Sequence, residues 1–153
     1  MARFTPEQVH SIVEINQLIS DWAVEMDIAN GTGMADLLTD DVNYTVRGIA
    51  RIGKAEVVKF YEGRLAELGA TPAGVPVHRH ALCNLRVAFR SAGDAGITFS
   101  LIYFTEMVKG LGADCADPFS YADVVMDVRR EGDGHWRISR FDSVPTFVRQ
   151  PKG

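Results

Sequence analysis

From about residue 78 onward, long runs of β-branched and aromatic residues alternate with tight glycine–aspartate turns, a pattern that leaves few options besides a turn-connected sheet. The runs fall at about 78–90, 96–108, 119–130 and 135–145, each longer than an average strand. Ser91-Ala-Gly-Asp94 and Glu131-Gly-Asp-Gly134 separate two pairs of them. Gly and Asp tolerate the positive φ that tight hairpins require, so neighbouring strands should run antiparallel. Shorter strands are expected at Val42–Val46 and, after Gly48, at about 49–52.

The first part of the chain carries a different period. Thr5-Pro6-Glu7-Gln8 has an N-cap, a proline at the first helical position and a glutamine able to close a capping box. The spacing predicts a helix over about residues 6–30, with Ile12, Ile15, Leu18, Ile19, Trp22, Met26 and Ala29 on one stripe. His10, Glu14, Asp21 and Glu25 lie opposite, and Asp27 falls at the stripe's edge beside Ala23 and Ser20. Asn30-Gly-Thr-Gly33 stops this helix, and Met34–Leu38 reads as one or two short turns. Another amphipathic helix opens at Gly53-Lys-Ala-Glu56 and runs to about Leu68, with Val57, Phe60, Tyr61, Leu65 and Leu68 inward. Helices first and turn-linked strands after define an α+β class, with a curved, mostly antiparallel sheet wrapped around the N-terminal helices.

The chain has 153 residues, 46% of them apolar, which suits one domain spanning residues 1–153 with a substantial core. Sixteen basic residues against twenty acidic ones give a net charge of −4, so no electrostatic attraction to nucleic acid or an anionic membrane is expected. The first residues lack the apolar stretch of a secretory signal and no run is long enough to span a bilayer, which predicts a cytoplasmic protein. Cys83 reads as a small hydrophobe in a strand and Cys115 as a loop thiol, both free. The loop Gly110-Leu-Gly-Ala-Asp-Cys-Ala-Asp-Pro118 between two strands is expected to form a rim over a cavity.

The polar residues that interrupt these apolar patterns are few. Strict alternation along 77–90 places Ala81, Cys83, Leu85, Val87 and Phe89 on one face and His80, Leu82, Asn84 and Arg86 on the other. That second face is either solvated or turned into a polar pocket, with a bulge resetting the register further along. His10 and His135 read as solvated, whereas His78 and His80 share a face without a third metal ligand at useful spacing. Tyr44, Tyr103 and Tyr121 are strand residues that serve either as core aromatics or as hydroxyl donors to a pocket. A carboxylate on Asp27 facing the His80 imidazole would make a proton-abstracting pair, because the carboxylate fixes the tautomer and stabilises the imidazolium. Phosphate-binding glycine motifs and the serine nucleophile motif Gly-x-Ser-x-Gly do not occur.

Taken in order, Trp22-Ala-Val-Glu-Met-Asp27, Leu37-Leu-Thr-Asp-Asp-Val-Asn-Tyr44, Gly48 with Gly53-Lys, His80-Ala-Leu-Cys-Asn-Leu-Arg86 and Gly134-His-Trp-Arg-Ile138 resemble the SnoaL-like proteins of the nuclear transport factor 2-like superfamily. The likeness spans nearly the whole chain and implies a cone-shaped α+β barrel. Within that group the pattern most resembles two cofactor-free lyases, scytalone dehydratase and the hexachlorocyclohexane dehydrochlorinase. It implies Asp27 and His80 as a dyad, with the His80 side chain pointing into the cone, and Tyr44 as a water-orienting tyrosine. Met26 stands where the dehydratase has a second tyrosine, Tyr121 falls near another of its histidines, and Arg129 or the adjacent Arg130 resembles an arginine of the dehydrochlorinase.

The expected activity is that of a cofactor-independent lyase or isomerase, with Asp27, His80 and Tyr44 acting on a small, mostly apolar, cyclic substrate. Trp22, Phe60, Tyr103, Phe104, Tyr121 and Arg129 are the expected substrate contacts, with no metal and no cofactor. The alternatives are a non-catalytic ligand-binding or dimerisation module of the same fold, and an isomerase using Asp27 alone. Apolar residues on the outer sheet face would support a homo-oligomer, a dimer or trimer.

Overall fold

The computed structural model describes residues 3–67, 75–108 and 117–149. Helix α1 spans Pro6–Ile28, and a 3-10 turn at Met34–Leu37 leads into strand β1, Leu38–Val46. Strand β2 is Ile49–Ile52 and helix α2 is Lys54–Glu67. Four long strands follow: β3 (Val75–Ser91), β4 (Asp94–Val108), β5 (Ser120–Arg130) and β6 (Trp136–Val148). The α1 start is the one the sequence predicts: the Thr5 hydroxyl accepts from the Gln8 N–H at 3.2 Å, while the Gln8 side chain accepts from the Thr5 N–H at 2.9 Å. Leu68 and Cys115, together with most of the loops that hold them, lie outside the described residues, as does the side chain of Leu65.

The sheet has six strands in the order β2-β1-β6-β5-β4-β3 and does not close into a barrel. Four neighbouring pairs are antiparallel, but β1 runs parallel to β6, so the sheet is mixed. Hairpins bring consecutive strands together, and that is why the antiparallel pairs were legible; β1 reaches β6 across the rest of the chain, with no local turn to announce it. Ile15, Leu18, Ile19, Trp22 and Met26 of α1 are buried with Ile97, Phe99, Val124, Met126, Ile138 and Phe141 of the sheet in one core cluster. Leucine- and isoleucine-sized side chains gain roughly 1.5–3 kcal/mol each from such burial.

One irregularity in β3 decides which side chains share the interior. Its register against β4 shifts between Cys83 and Arg86, and Asn84 there has φ +58°. Before this bulge the even positions point inward: His78 is buried, His80 and Leu82 are half-buried, and Arg79 and Ala81 are exposed. After it the odd positions do, with Val87 buried and Leu85 and Phe89 packed on the core. Strict alternation over 77–90 is therefore corrected, because one extra residue lets His80 and Val87 face the same side. Asn is among the few residues that enter the left-handed region at low cost. Cys83, free and half-buried, lies on the outward parity of the first segment.

Asn84→Gly should hold stability within about 0.5 kcal/mol, whereas Asn84→Val should cost about 1–2 kcal/mol in urea unfolding, since a β-branched side chain is strained at positive φ. Equal stability of the two variants would contradict this role for the bulge.

Candidate functional site

Along the inward stride of β5 the side chains run Val128, Met126, Val124, Ala122, Ser120, and along β6 they run Ile138, Phe141, Ser143, Pro145. The interior thus narrows from bulky to small, and the space left at the small end is a cavity of about 280 Å³. That is close to the lower limit of sites for small organic molecules, roughly 300 Å³. Leu101, Ala122 and Pro145 give it apolar walls together with Phe60 of α2, and His80, Tyr103, Ser120 and Ser143 add polar ones. Arg64 of α2 and the exposed Arg47 also line it.

Asp27 sits in the last turn of α1, and its carboxylate meets the residue His80 twice. Oδ1 lies 2.6 Å from the ring Nδ1, and Oδ2 accepts the His80 backbone N–H at 3.0 Å. Both side chains are nearly buried, at 9% and 11% exposure. Because β3 is an edge strand, the carboxylate occupies the side of His80 where a further strand would otherwise bond. A carboxylate only accepts, so Nδ1 carries a hydrogen toward Asp27.

Tyr103 is the direct cross-strand partner of His80, and the two rings stack with centroids 4.8 Å apart. Its hydroxyl lies 2.5 Å from Nδ1 of His78, one stride away on β3. Burial lowers the pKa of His78 below its ordinary 6.5, and the Arg64 and His80 charges act in the same direction. His78 is thereby held neutral.

Beneath His80 is an aromatic support. Trp22 lies 5.8 Å from the imidazole and packs on Phe141 at 5.0 Å. Its indole N–H donates to the Tyr44 hydroxyl at 3.0 Å, and that hydroxyl is 2.9 Å from the Tyr61 hydroxyl. Burial raises the pKa of both phenols, Tyr61 to about 12, so each remains a neutral hydrogen-bonding group. Gly31, at φ +85°, fits against the Tyr61 ring so closely that a Cβ there would lie 2.5 Å from its Cγ.

The structure therefore brings together Asp27, His80, Tyr103 and Phe60, and sets other expected site residues apart. Tyr44 is fully buried, with its hydroxyl taken by Trp22 and Tyr61, and does not line the cavity; Trp22 lies behind His80 rather than on the wall. Phe104 is on the outer parity of β4, opposite the exposed Arg79. Tyr121 faces outward with Phe147, ring centroids 6.1 Å apart. Arg129 is on the outer face as well, bound to Asp41 at 2.8 Å and Glu131 at 2.7 Å. Each of Phe104, Tyr121 and Arg129 is one position away from the inward stride of its strand, and one position along a strand reverses the face. Sequence reasoning missed Arg47, Arg64, Ser120 and Ser143; the two serines were findable as small polar residues at inward positions of otherwise bulky strands. Among the described residues no three metal-ligating side chains come together.

An open six-stranded mixed sheet with a long N-terminal helix packed against it is the nuclear transport factor 2-like fold. The sequence matches the SnoaL-like domain family over residues 7–142, and the chain belongs to that family. No curated protein sequence is significantly similar to it. Solved structures with the same fold include a protein from Novosphingobium aromaticivorans provisionally assigned as a scytalone dehydratase, at 16% identity and TM-score 0.78, covering 98% of this chain and 93% of that one. The hexachlorocyclohexane dehydrochlorinase LinA-type3 of Novosphingobium barchaimii is 20% identical with TM-score 0.73, over 94% and 91%. ActVI-ORFA of Streptomyces coelicolor is 15% identical with TM-score 0.77, over 93% and 99%.

With the His78 pKa lowered in the folded state, the unfolded chain binds a proton that the folded one does not as pH drops below 6.5. The contribution is complete above pH 6.5 and is lost as pH falls toward the folded value. The melting temperature should therefore fall more steeply between about pH 7 and 5 in the wild type than in His78→Leu. Parallel slopes would refute a neutral buried His78.

Proposed function

We propose that this chain is a cofactor-independent lyase or isomerase in which His80, oriented by Asp27, removes a proton from a carbon next to an activating group. The observation that carries the reading is the double contact of one carboxylate with His80, through Nδ1 at 2.6 Å and the backbone N–H at 3.0 Å, at the wall of a cavity. Asp27 holds Nδ1–H, so Nε2 is the basic nitrogen, and the carboxylate stabilises the imidazolium that forms. The small cavity and its Phe60, Leu101 and Ala122 walls suit a small, mainly apolar, cyclic substrate. Tyr44 takes a positioning role here: it anchors Trp22, which packs against the imidazole.

The family and the dehydratase and dehydrochlorinase among proteins of this fold support the reading by analogy. Val125, Val144 and Phe147 leave an exposed apolar stretch on the outer face beside Tyr121, which supports a homo-oligomer through that face.

The test is a screen of hydroxylated and halogenated cyclic compounds and enones, first for thermal stabilisation and then for deuterium uptake from solvent. For a compound that is turned over, His80→Ala should lower kcat by roughly 10²–10⁴ while the fold is retained. Asp27→Asn should fall in the same range. An active His80→Ala protein would remove the mechanism.

A further inference from the structure

Two guanidiniums share the cavity that His80 lines. Arg47 directly follows Val46, the last residue of β1, while His80 is on β3, so the two reach the cavity from opposite ends of the strand row β1-β6-β5-β4-β3 that walls it. Arg47 and Gly48 are the central residues of the β1–β2 hairpin, and both have positive φ, +51° and +76°. Gly enters that region freely and Asn at low cost, whereas an arginine is disfavoured there. Residues held in such conformations gather at ligand-binding sites. The side chain is also aimed: its guanidinium carbon lies 5.7 Å from the centroid of the Phe119 ring, which packs edge-on against Tyr103 at 5.8 Å. Arg64 follows Phe60 by one turn of α2, so both face the cavity while Val57 and Tyr61 turn to the core. It is half-buried. Burial dominates the titration of Tyr44, Tyr61 and His78, and the Arg64 charge contributes to all three, so its field extends through the interior around the site. The chain as a whole carries −4, and two cations at one hollow run against that balance.

We propose that Arg47 and Arg64 hold a carboxylate of the substrate, which makes the substrate class a cyclic carboxylic acid. This rests on the reading of the cavity as the place where His80 acts. An arginine presents its N–H donors as a planar fork that matches the two oxygens of a carboxylate, and an anion is held more strongly by a half-buried cation than by a surface one. Ser120 and Ser143 add hydroxyl donors to the same wall. The glycine-rich backbone cradles that bind phosphate do not occur in this chain, which favours the flat anion. Leu101 and Ala122 leave an apolar wall for a ring between the charged end and His80. A cavity of roughly 150 Å³ admits benzene. One of about 280 Å³ therefore accommodates a six-membered ring with its carboxylate. Anchoring the anion at the β1 end limits which ring carbon comes to the imidazole on β3. Two cations in the hollow also oppose the imidazolium that His80 becomes on taking a proton. A bound carboxylate offsets them, so the substrate's own charge prepares the site for the abstraction.

The probes are benzoate and benzamide, which share a shape and differ in charge, with inorganic phosphate as a third; binding is read by NMR titration, apart from any chemistry. The wild type should bind benzoate about tenfold more tightly than benzamide, as for the loss of one charge-assisted hydrogen bond. Arg64→Gln should bring that ratio down by about tenfold. Arg47→Asn should lower it as well, by less because Arg47 is exposed, while the melting temperature stays at or above the wild-type value, since Asn suits the hairpin. Lys59→Gln removes an equal charge from a neighbouring hollow that Arg64 also lines, and should leave the ratio within about twofold because an exposed charge is screened. Equal binding of benzoate and benzamide, binding of neither, or phosphate bound as tightly as benzoate overturns the inference. So does a ratio that Arg64→Gln leaves unchanged, or that Lys59→Gln lowers as far as Arg64→Gln does. His80→Ala should keep the preference for benzoate, so the subsite and the proposed base fail on different variants: an active His80→Ala protein removes the base, and an undiminished preference in Arg64→Gln removes the subsite.

Discussion

The Asp27 carboxylate is the contact on which the arrangement depends, because its two oxygens perform two tasks. One fixes the His80 imidazole; the other satisfies a backbone N–H on the exposed side of an edge strand. An edge strand with free donors and acceptors invites pairing with another chain, and an inward-facing charge is one of the devices that prevent it. Here a helix residue fills the place of a neighbouring strand at one position. The same contact ties α1 to β3 and so fixes the spacing between the helix and the sheet at the end where the interior is least filled.

An aromatic layer transmits that fixity. Trp22, Phe141 and Tyr44 form a stack under His80, with Tyr44 and Phe141 at 4.5 Å and nearly parallel. The three polar atoms buried in this layer, on Trp22, Tyr44 and Tyr61, bond to one another and so avoid the cost of burying unpaired groups. Gly31 closes the far side, where its lack of a side chain lets the turn after α1 lie flat on Tyr61. A rotation of the imidazole would have to displace this layer as well as break the bond to Asp27.

Much of this was legible in the sequence where the signal is local. The capping box at Thr5 and Gln8 and the two hairpin turns each depend on a few adjacent residues, and each forms as read; the first helix ends at Ile28, just short of the expected end near residue 30. The parallel pairing of β1 with β6 depends on no local residue and was not readable. The inward parity of His80 was hidden by Asn84, since period-two reading assumes a regular ladder and a single extra residue inverts it. The meeting of Asp27 with His80 came from resemblance to a family rather than from periodicity, which places residues on faces but not opposite partners 53 positions away. The same resemblance suggested Tyr121 and Arg129, which lie on the outer face, and it left unnoticed the partnership of His78 with Tyr103, which only the cross-strand register displays.

The taper along β5 and β6 separates two burdens that most interiors combine. Met126, Val128 and Ile138 at the crowded end carry the cohesion of the domain, whereas Ser120, Ala122, Ser143 and Pro145 at the sparse end contribute little to it. Variation at those four positions would reshape the chamber without loosening the keel, so descendants of one such chain can acquire new molecular tastes while the scaffold persists.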